Sequence, residues 1–451
     1  MPVNPDRVYF NHQGRFPPVT LDAQPAAIPA ATAATHPKRI TDTTMRDGAQ
    51  DPRFALFPEE AKLRYFDLLH RLDHGAGRIE NVEVFIYQKR DVRTLEKLIE
   101  RGYDFPKVTT WTRATPKDIR LLVSVSRGRV KETGMLASAS DHHIFDKLKH
   151  RSKEAAIEKY LAPVMTAVEN GIRPRVHLED VTKADVPGWV IPFMQRVLTE
   201  TKGQACFRLC DTMGWGYPDP YARLPVGIPR LVSELHAATG AELEYHGHND
   251  FGLATANSVA AWTYGCCRVN AAFAGQGERT GNTSLEQMVA ALVRLYGDPG
   301  LDLTALAPMA ELFNAEVCPV SSNAPIIGRT IFTTQAGLHQ SGVAAHEEAP
   351  GGFIYLPYDS SLVGRTADEL HRIGGLSGMD GLVALLNQEA AARGLARRFT
   401  VTSRTVLALY DRVHESYDGK WDEAAGRFEA RRTFFEAGEL LDAALALEGE
   451  G

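Results

Sequence analysis

The sequence predicts an α/β fold: a (β/α)8 TIM barrel followed by small C-terminal α/β or helical subdomains. Three observations point there. Strand-like apolar runs alternate with helical patterns eight times between residues 39 and 297. That is the rhythm of a parallel sheet with crossover helices and, at eight units, of a closed barrel. Residues able to do chemistry gather at the C-terminal ends of those runs, the end where such barrels place their sites. The turn after the first run reads TMRDGAQ. It lacks the glycine-rich phosphate turn that a doubly wound open sheet, the competing arrangement, usually carries.

Before the rhythm begins, residues 1–37 are rich in Pro and Ala (AQPAAIPAATAATHP) and read as an arm or linker with little structure of its own. The barrel is assigned to 38–300. Its strand-like runs are RITDTTM (39–45), NVEVFIY (81–87), KVTTWT (107–112), TGMLASA (133–139), RPRVHLE (173–179), ACFRLCD (205–211), AELEYHG (241–247) and RVNAAFA (268–274). Between them lie helical patterns such as PEEAKLRYFDLLHRL (58–72), SKEAAIEKYLAPVMTAVENG (152–171), YARLPVGIPRLVSELHAATG (221–240) and NTSLEQMVAALVRLYG (282–297). Beyond 300 the pattern changes to one or two small appended modules. These hold a helix-like stretch at 304–315, the segment GRTIFTTQAGLHQSG, helical patterns near 379–393 and 402–417, and a terminal amphipathic stretch, FEAGELLDAALALEGEG.

Composition excludes several classes. The chain has 451 residues, 44% hydrophobic and 24% charged, which is ordinary for a globular protein with ample core. A net charge of −6 gives no basic footprint for nucleic acid. No apolar run approaches the roughly 18 residues of a membrane span, and MPVNPDRVYFNHQGRFPP lacks the basic-then-apolar secretory pattern. Five unevenly spaced cysteines (206, 210, 266, 267 and 318) read as reduced thiols of a cytoplasmic protein. Cys206 and Cys210, at alternate strand positions, read as buried small apolar residues rather than a metal pair.

The first run ends at Arg46 and Asp47, the fifth at Glu179 and Asp180, and the sixth at Asp211 and Thr212. The seventh ends at His246 and His248, and the eighth is followed by GQGERTGN, closing on Asn282. Side chains alternate along a strand, so His246 and His248 face the same side. Two neutral imidazoles with a carboxylate from another strand make a divalent-metal site. Asp47 is the favoured carboxylate. Asn282 adds an amide oxygen or holds a metal-bound water, and the mixed N/O set suits Mg, Mn or Zn.

The motifs DTTMRDGAQ (42–50), HGHNDFGLATAN (246–257) and GQGERTGN (275–282) resemble those of the metal-dependent acyl-CoA/2-oxo acid barrel enzymes. That superfamily contains isopropylmalate synthase, homocitrate synthase, Re-type citrate synthase and hydroxymethylglutaryl-CoA lyase. The resemblance covers about residues 38–370. GRTIFTTQAGLHQSG and YLPYDSSLVGR (355–365) extend it into a linker subdomain at 301–370, leaving 371–451 as a C-terminal helical module. The lyase branch carries a Cys-bearing glycine loop where this chain has GQGERTGN, which favours the synthases. HLEDVTKADVPGW (177–189), CDTMGWGYPDP (210–220) and AWTYGCCRVN (261–270) look closest to the Re-citrate synthase group, itself similar to phosphonomethylmalate and phosphinomethylmalate synthases. About 80 residues follow the linker-like region, too few for a leucine-sensing domain.

The resemblance implies an acyltransferase that condenses acetyl-CoA, as co-substrate, with a 2-oxo acid and releases CoA. Asp47, His246 and His248 would hold the metal, with Asn282 beside it. Arg46 would stabilise the developing oxyanion, and Thr212 would hydrogen-bond the substrate carboxylate. His339 aligns with the synthases' catalytic histidine and Tyr355 with its companion tyrosine; in that family both come from the neighbouring subunit, so a homodimer with shared active sites is expected. Glu179 matches a barrel glutamate that orients the base or helps hydrolysis; the competing role is a plain ion pair with Lys183. Arg53 and Lys183 are candidate readers of an anionic side group, and His143 falls near the rim by analogy. The favoured 2-oxo acids are oxaloacetate and phosphonopyruvate. Homocitrate or isopropylmalate synthesis, and a lyase-like cleavage, are the alternatives.

Overall fold

The computed structural model describes residues 19–28, 37–53, 57–297, 300–334, 336–346, 355–365, 373–429 and 431–449. Parts of the expected arm (1–18 and 29–36) and of the expected linker subdomain (347–354 and 366–370) lie outside the described residues. The chain divides into two compact units, Met1–Pro319 and Val320–Gly451.

In the first unit eight parallel strands close into a barrel in chain order: β1 (Arg39–Asp42), β2 (Ile79–Val84), β3 (Lys107–Thr112), β4 (Glu132–Ser138), β5 (Arg173–Glu179), β6 (Cys206–Asp211), β7 (Leu243–Gly247) and β8 (Arg268–Ala271). The helices that follow them are α1 (Glu59–Asp73), α2 (Lys89–Glu100), α3 (Pro116–Ser126), α4 (Lys153–Glu169), α5 (Ile191–Glu200), α6 (Ile228–Thr239), α7 (Ala254–Tyr264) and α8 (Leu285–Tyr296). Local chemistry sets their starts. The side chains of Thr115, Ser152 and Ser284 accept the first free backbone N–H groups of α3, α4 and α8. The apolar sides of the strands, with Val82, Val176, Phe207, Leu209 and Tyr245, pack under the helices. A further helix, α9 (Leu306–Leu312), packs on α1.

Residues 19–28 are more ordered than an unstructured arm would be. Leu21 pairs with Ala222, and the Asp22 carboxylate accepts from Arg223 at 2.5 Å, so this stretch lies along the loop that follows β6. All five cysteines carry free thiols, with Cys206 and Cys210 buried as expected.

The second unit holds α10 (Gly337–His346), α11 (Met379–Ala392), α12 (Arg404–Asp418) and α13 (Ala437–Gly449). The last three helices share a core that includes Leu382, Leu386, Val406, Leu409, Leu440 and Leu441. Between α12 and α13 the chain makes a hairpin, β9 (Lys420–Asp422) with β10 (Arg427–Glu429). Three-residue strands are too short for periodicity to reveal. No helix among the described residues is long and apolar enough to cross a membrane.

Candidate active site

The bore does not follow the aliphatic layering usual in such barrels. Strand alternation turns Glu83 (β2), Arg175, His177 and Glu179 (β5), Arg208 and Cys210 (β6), and Glu244 and His246 (β7) inward. The middle of the bore is therefore ionic. Arg175, Arg208 and Glu83 are fully buried and Glu244 is 1% exposed. Glu83 accepts from Arg208 Nη1 at 3.0 Å, from Arg46 Nη2 at 3.1 Å, and from Arg175. Burial alone would raise the Glu83 carboxyl, but the three guanidiniums around it hold it well below the usual range.

Above this layer the expected ligands converge. One atom each from Asp47, His246 and His248 lies within 4.8 Å of the others, and all three side chains are buried. The two imidazole centroids are 4.9 Å apart and nearly perpendicular. Gly247 between them is required: a Cβ there would come within 2.8 Å of the Tyr245 ring, whose hydroxyl donates to Asp211 at 3.1 Å. Asn270 sets the tautomer of His246. The Asn270 amide donates to the Thr41 carbonyl at 3.2 Å, so its oxygen must accept from His246 Nδ1 at 2.7 Å. That leaves Nε2 as a lone pair, 3.6 Å from Asp47.

Asn282 is oriented in the same way. Its Nδ2 donates to the Gln276 carbonyl at 2.7 Å and to Asp47 at 3.3 Å. Gly277, at φ 153°, leaves room for that amide; a Cβ would sit 2.1 Å from it. Among the described residues, Asn282 Oδ1 and His248 Nδ1 have no hydrogen-bond partner, and both are buried. A buried carboxylate with two imidazoles within 4.8 Å of it, beside an unpartnered amide oxygen, is a donor set that a divalent cation would satisfy, so the residues present fit a metal. Burial opposes ionisation of Asp47, but the Arg46 guanidinium and the hydrogen bond from Asn282 hold its carboxyl well below the ordinary range. Burial pushes His246 down, keeping it neutral. Both forms are those a metal ligand needs.

Arg46 sits 7% exposed against this set. It donates from Nη1 to Asp47 at 2.7 Å and from Nε and Nη2 to Glu83 at 3.3 and 3.1 Å. Two of its five N–H groups stay available to a ligand.

Glu179 lies on the same rung, two strands from His246 through Cys210. It does not pair with Lys183. Its partners are Ser138, His143 at 3.0 Å and Lys147 at 2.9 Å. Burial works against ionisation here too, but these hydrogen bonds hold Glu179 at about 2. Lys183 bonds Asp180 at 3.0 Å and covers the Trp215 ring. Thr212 accepts the Asp180 backbone N–H at 2.8 Å. Arg53 forms a two-point pair with Asp51, at 2.9 and 2.6 Å. In the second unit His339 and Tyr355 stack, with ring centroids 4.1 Å apart and planes 26° apart. A cavity of about 530 Å³ opens at the opposite, N-terminal end of the barrel, but its arginines Arg39 and Arg173 are already tied to Glu80 and Glu242.

The sequence reading missed Glu83, Asn270 and the ionic layer. The available signal was a polar residue two or four positions before a site residue in the same strand: Arg175 and His177 before Glu179, and Glu244 before His246.

Residues 38–313 match the family described as HMGL-like, and the chain belongs to that family. It is 38% identical over 357 residues to the citrate (Re)-synthase of Clostridium kluyveri, covering 77% of this chain and 76% of that one. A second citrate (Re)-synthase, from Syntrophus aciditrophicus, is 38% identical over 319 residues, covering 68% of this chain and 49% of that relative. The 2-phosphinomethylmalate synthase of Streptomyces hygroscopicus is 32% identical over 432 residues, covering 93% and 91%.

Proposed function

We propose that this chain condenses acetyl-CoA with an anionic 2-oxo acid, oxaloacetate or phosphonopyruvate, and releases CoA, giving citrate or 2-phosphonomethylmalate. The observation that carries the reading is the buried convergence of Asp47, His246 and His248, with Asn282 bonded to Asp47 through its amide nitrogen. The kinship with citrate (Re)-synthases and a phosphinomethylmalate synthase favours this substrate class. A divalent ion held by the three ligands supplies Lewis acidity to a chelating 2-oxo acid; Mg, Mn and Zn all suit the donor set.

The remaining steps fall to the chain's own groups. Arg46 turns its two unused N–H groups on the ketone oxygen as negative charge develops there. Thr212 holds the substrate carboxylate. The imidazole of His339, steadied by Tyr355, removes a proton from the acetyl methyl group. The carbanion attacks the ketone carbon, the resulting alkoxide takes the proton back from the His339 imidazolium, and water then cleaves the thioester to a carboxylate and the CoA thiol, releasing one proton. Glu179, anionic at neutral pH and bonded to His143, orients that imidazole and is too weak a base to act alone. Arg53 keeps Nη1 for the distal anion after its pair with Asp51, and Lys183 shares in that role.

His339 is exposed in the second unit, and we place it in the active site of a partner subunit, so the working form is a homodimer. The unpaired thiols suit a cytoplasmic setting.

Thiol release from acetyl-CoA with oxaloacetate, phosphonopyruvate, 2-oxoglutarate and 2-oxoisovalerate tests the reading. The first two should give the highest kcat/KM. Preference for 2-oxoglutarate or 2-oxoisovalerate would move the assignment to a homocitrate or isopropylmalate type. Cleavage of hydroxymethylglutaryl-CoA without condensation would move it to the lyases. Mixing His339→Ala with His248→Ala chains should restore part of the activity; verified mixed dimers without recovery would refute the shared site.

A further inference from the structure

Arg208 is fully buried and spends its guanidinium on two carboxylates at once. Nε and Nη2 fork onto Glu244, both at 3.1 Å. Nη1 donates to Glu83 Oε2 at 3.0 Å, and Nη2 makes an ion pair at 2.7 Å with Glu83 Oε1, which also accepts from Arg175. Glu83 Oε2, the oxygen that Nη1 reaches, also accepts from Thr43 at 2.9 Å and holds Arg46 through Nε and Nη2. An unbroken chain of bonded groups therefore runs from β7 through Glu244, Arg208 and Glu83 to Arg46. The same strand, two residues on, carries His246.

Packed aliphatic side chains would fill the bore at less desolvation cost than four buried charges. What the ionic layer adds is orientation. A carboxylate held by one partner can turn about its last torsion, whereas one gripped along both oxygens by a planar fork cannot.

Resting on the function proposed above, we propose that Arg208 and Glu244 are positioning residues: together with Arg175 they fix the plane of Glu83, and through it aim Arg46 at the reacting ketone. Neither touches substrate. The claim concerns fork geometry, so a residue that keeps the charge and loses the fork should fail.

The test compares the full-length wild type with Arg208→Lys and with the charge-balanced double variant Arg208→Met/Glu244→Met. Steady-state thiol release is measured beside Mn²⁺ binding by calorimetry and thermal unfolding. Both variants should fold and bind Mn²⁺ within about threefold of wild type, because Asp47, His246 and His248 are untouched. Their kcat should fall at least ~10-fold with KM for acetyl-CoA nearly unchanged. A folded, Mn²⁺-binding variant with wild-type kcat would overturn the proposal. Failure of both variants to fold would overturn it too, in favour of a purely structural role. If the function assignment itself is wrong, the wild-type chain will release no CoA with any 2-oxo acid, which is a different outcome.

Discussion

Two buried polar clusters share the barrel, and they differ in how completely they are satisfied. In the bore, Glu83 and Glu244 are each met by guanidinium forks. At the rim, beyond the strand ends and beside the cluster of Asp47, His246 and His248, Asn282 Oδ1 and His248 Nδ1 are buried with no hydrogen-bond partner among the described residues. Burial of charge does not by itself mark a site in this protein. An acceptor-rich set left unsatisfied does, because an unpartnered buried acceptor costs stability that only a ligand returns.

The contrast breaks most visibly under denaturant. Glu83→Gln removes the counter-charge of three buried guanidiniums and should cost about 3–5 kcal/mol in urea unfolding. Asp47→Asn, which keeps an acceptor for Arg46, should stay within about 1 kcal/mol of wild type in metal-free buffer. Equal losses would erase the distinction. Activity should divide the other way: Asp47→Asn or His248→Ala should lower CoA release by roughly 10²–10³-fold. Divalent ion at 100 times its Kd should add about 2.7 kcal/mol to wild-type stability and nothing to His248→Ala. A smaller effect probes the tautomer. Asn270→Ala frees His246 Nδ1 and should weaken divalent-ion binding ~10–100-fold by calorimetry while leaving the bore intact.

Much of this was legible in the sequence. The eight strand-like runs overlap all eight strands, since parallel strands buried on both faces read as short apolar runs. The meeting of Asp47 with His246 and His248 was legible because strand ends of such a barrel converge and HxH is a local pattern. Long-range pairing was not legible. Nothing local tells Glu179 to choose Lys147, 32 residues away, over Lys183, because that choice depends on where separate loops land. The bore was missed for a related reason. Single charges inside apolar runs, Glu83 in NVEVFIY or Arg208 in ACFRLCD, gain meaning only when four strands bring them to one level.

The weakest expected effect lies between the two clusters, at Glu179, on the rim's rung but fully partnered. Its carboxyl is held at about 2 against the usual 4.5. A depressed folded value stabilises the protein above the unfolded value, and that contribution drains away as pH falls from about 4.5 through 2. The shift alone corresponds to about 3 kcal/mol. Half-exposed Lys147 acts partly through water, which reduces the measurable share to about 1–2 kcal/mol. The stability gap between wild type and Glu179→Gln should therefore be full at pH 6 and narrow by that amount towards pH 2. A gap that stays constant over this range would mean that His143, Ser138 and Lys147 hold the side chain by shape alone. Glu179 would then belong with neither the satisfied bore nor the waiting rim.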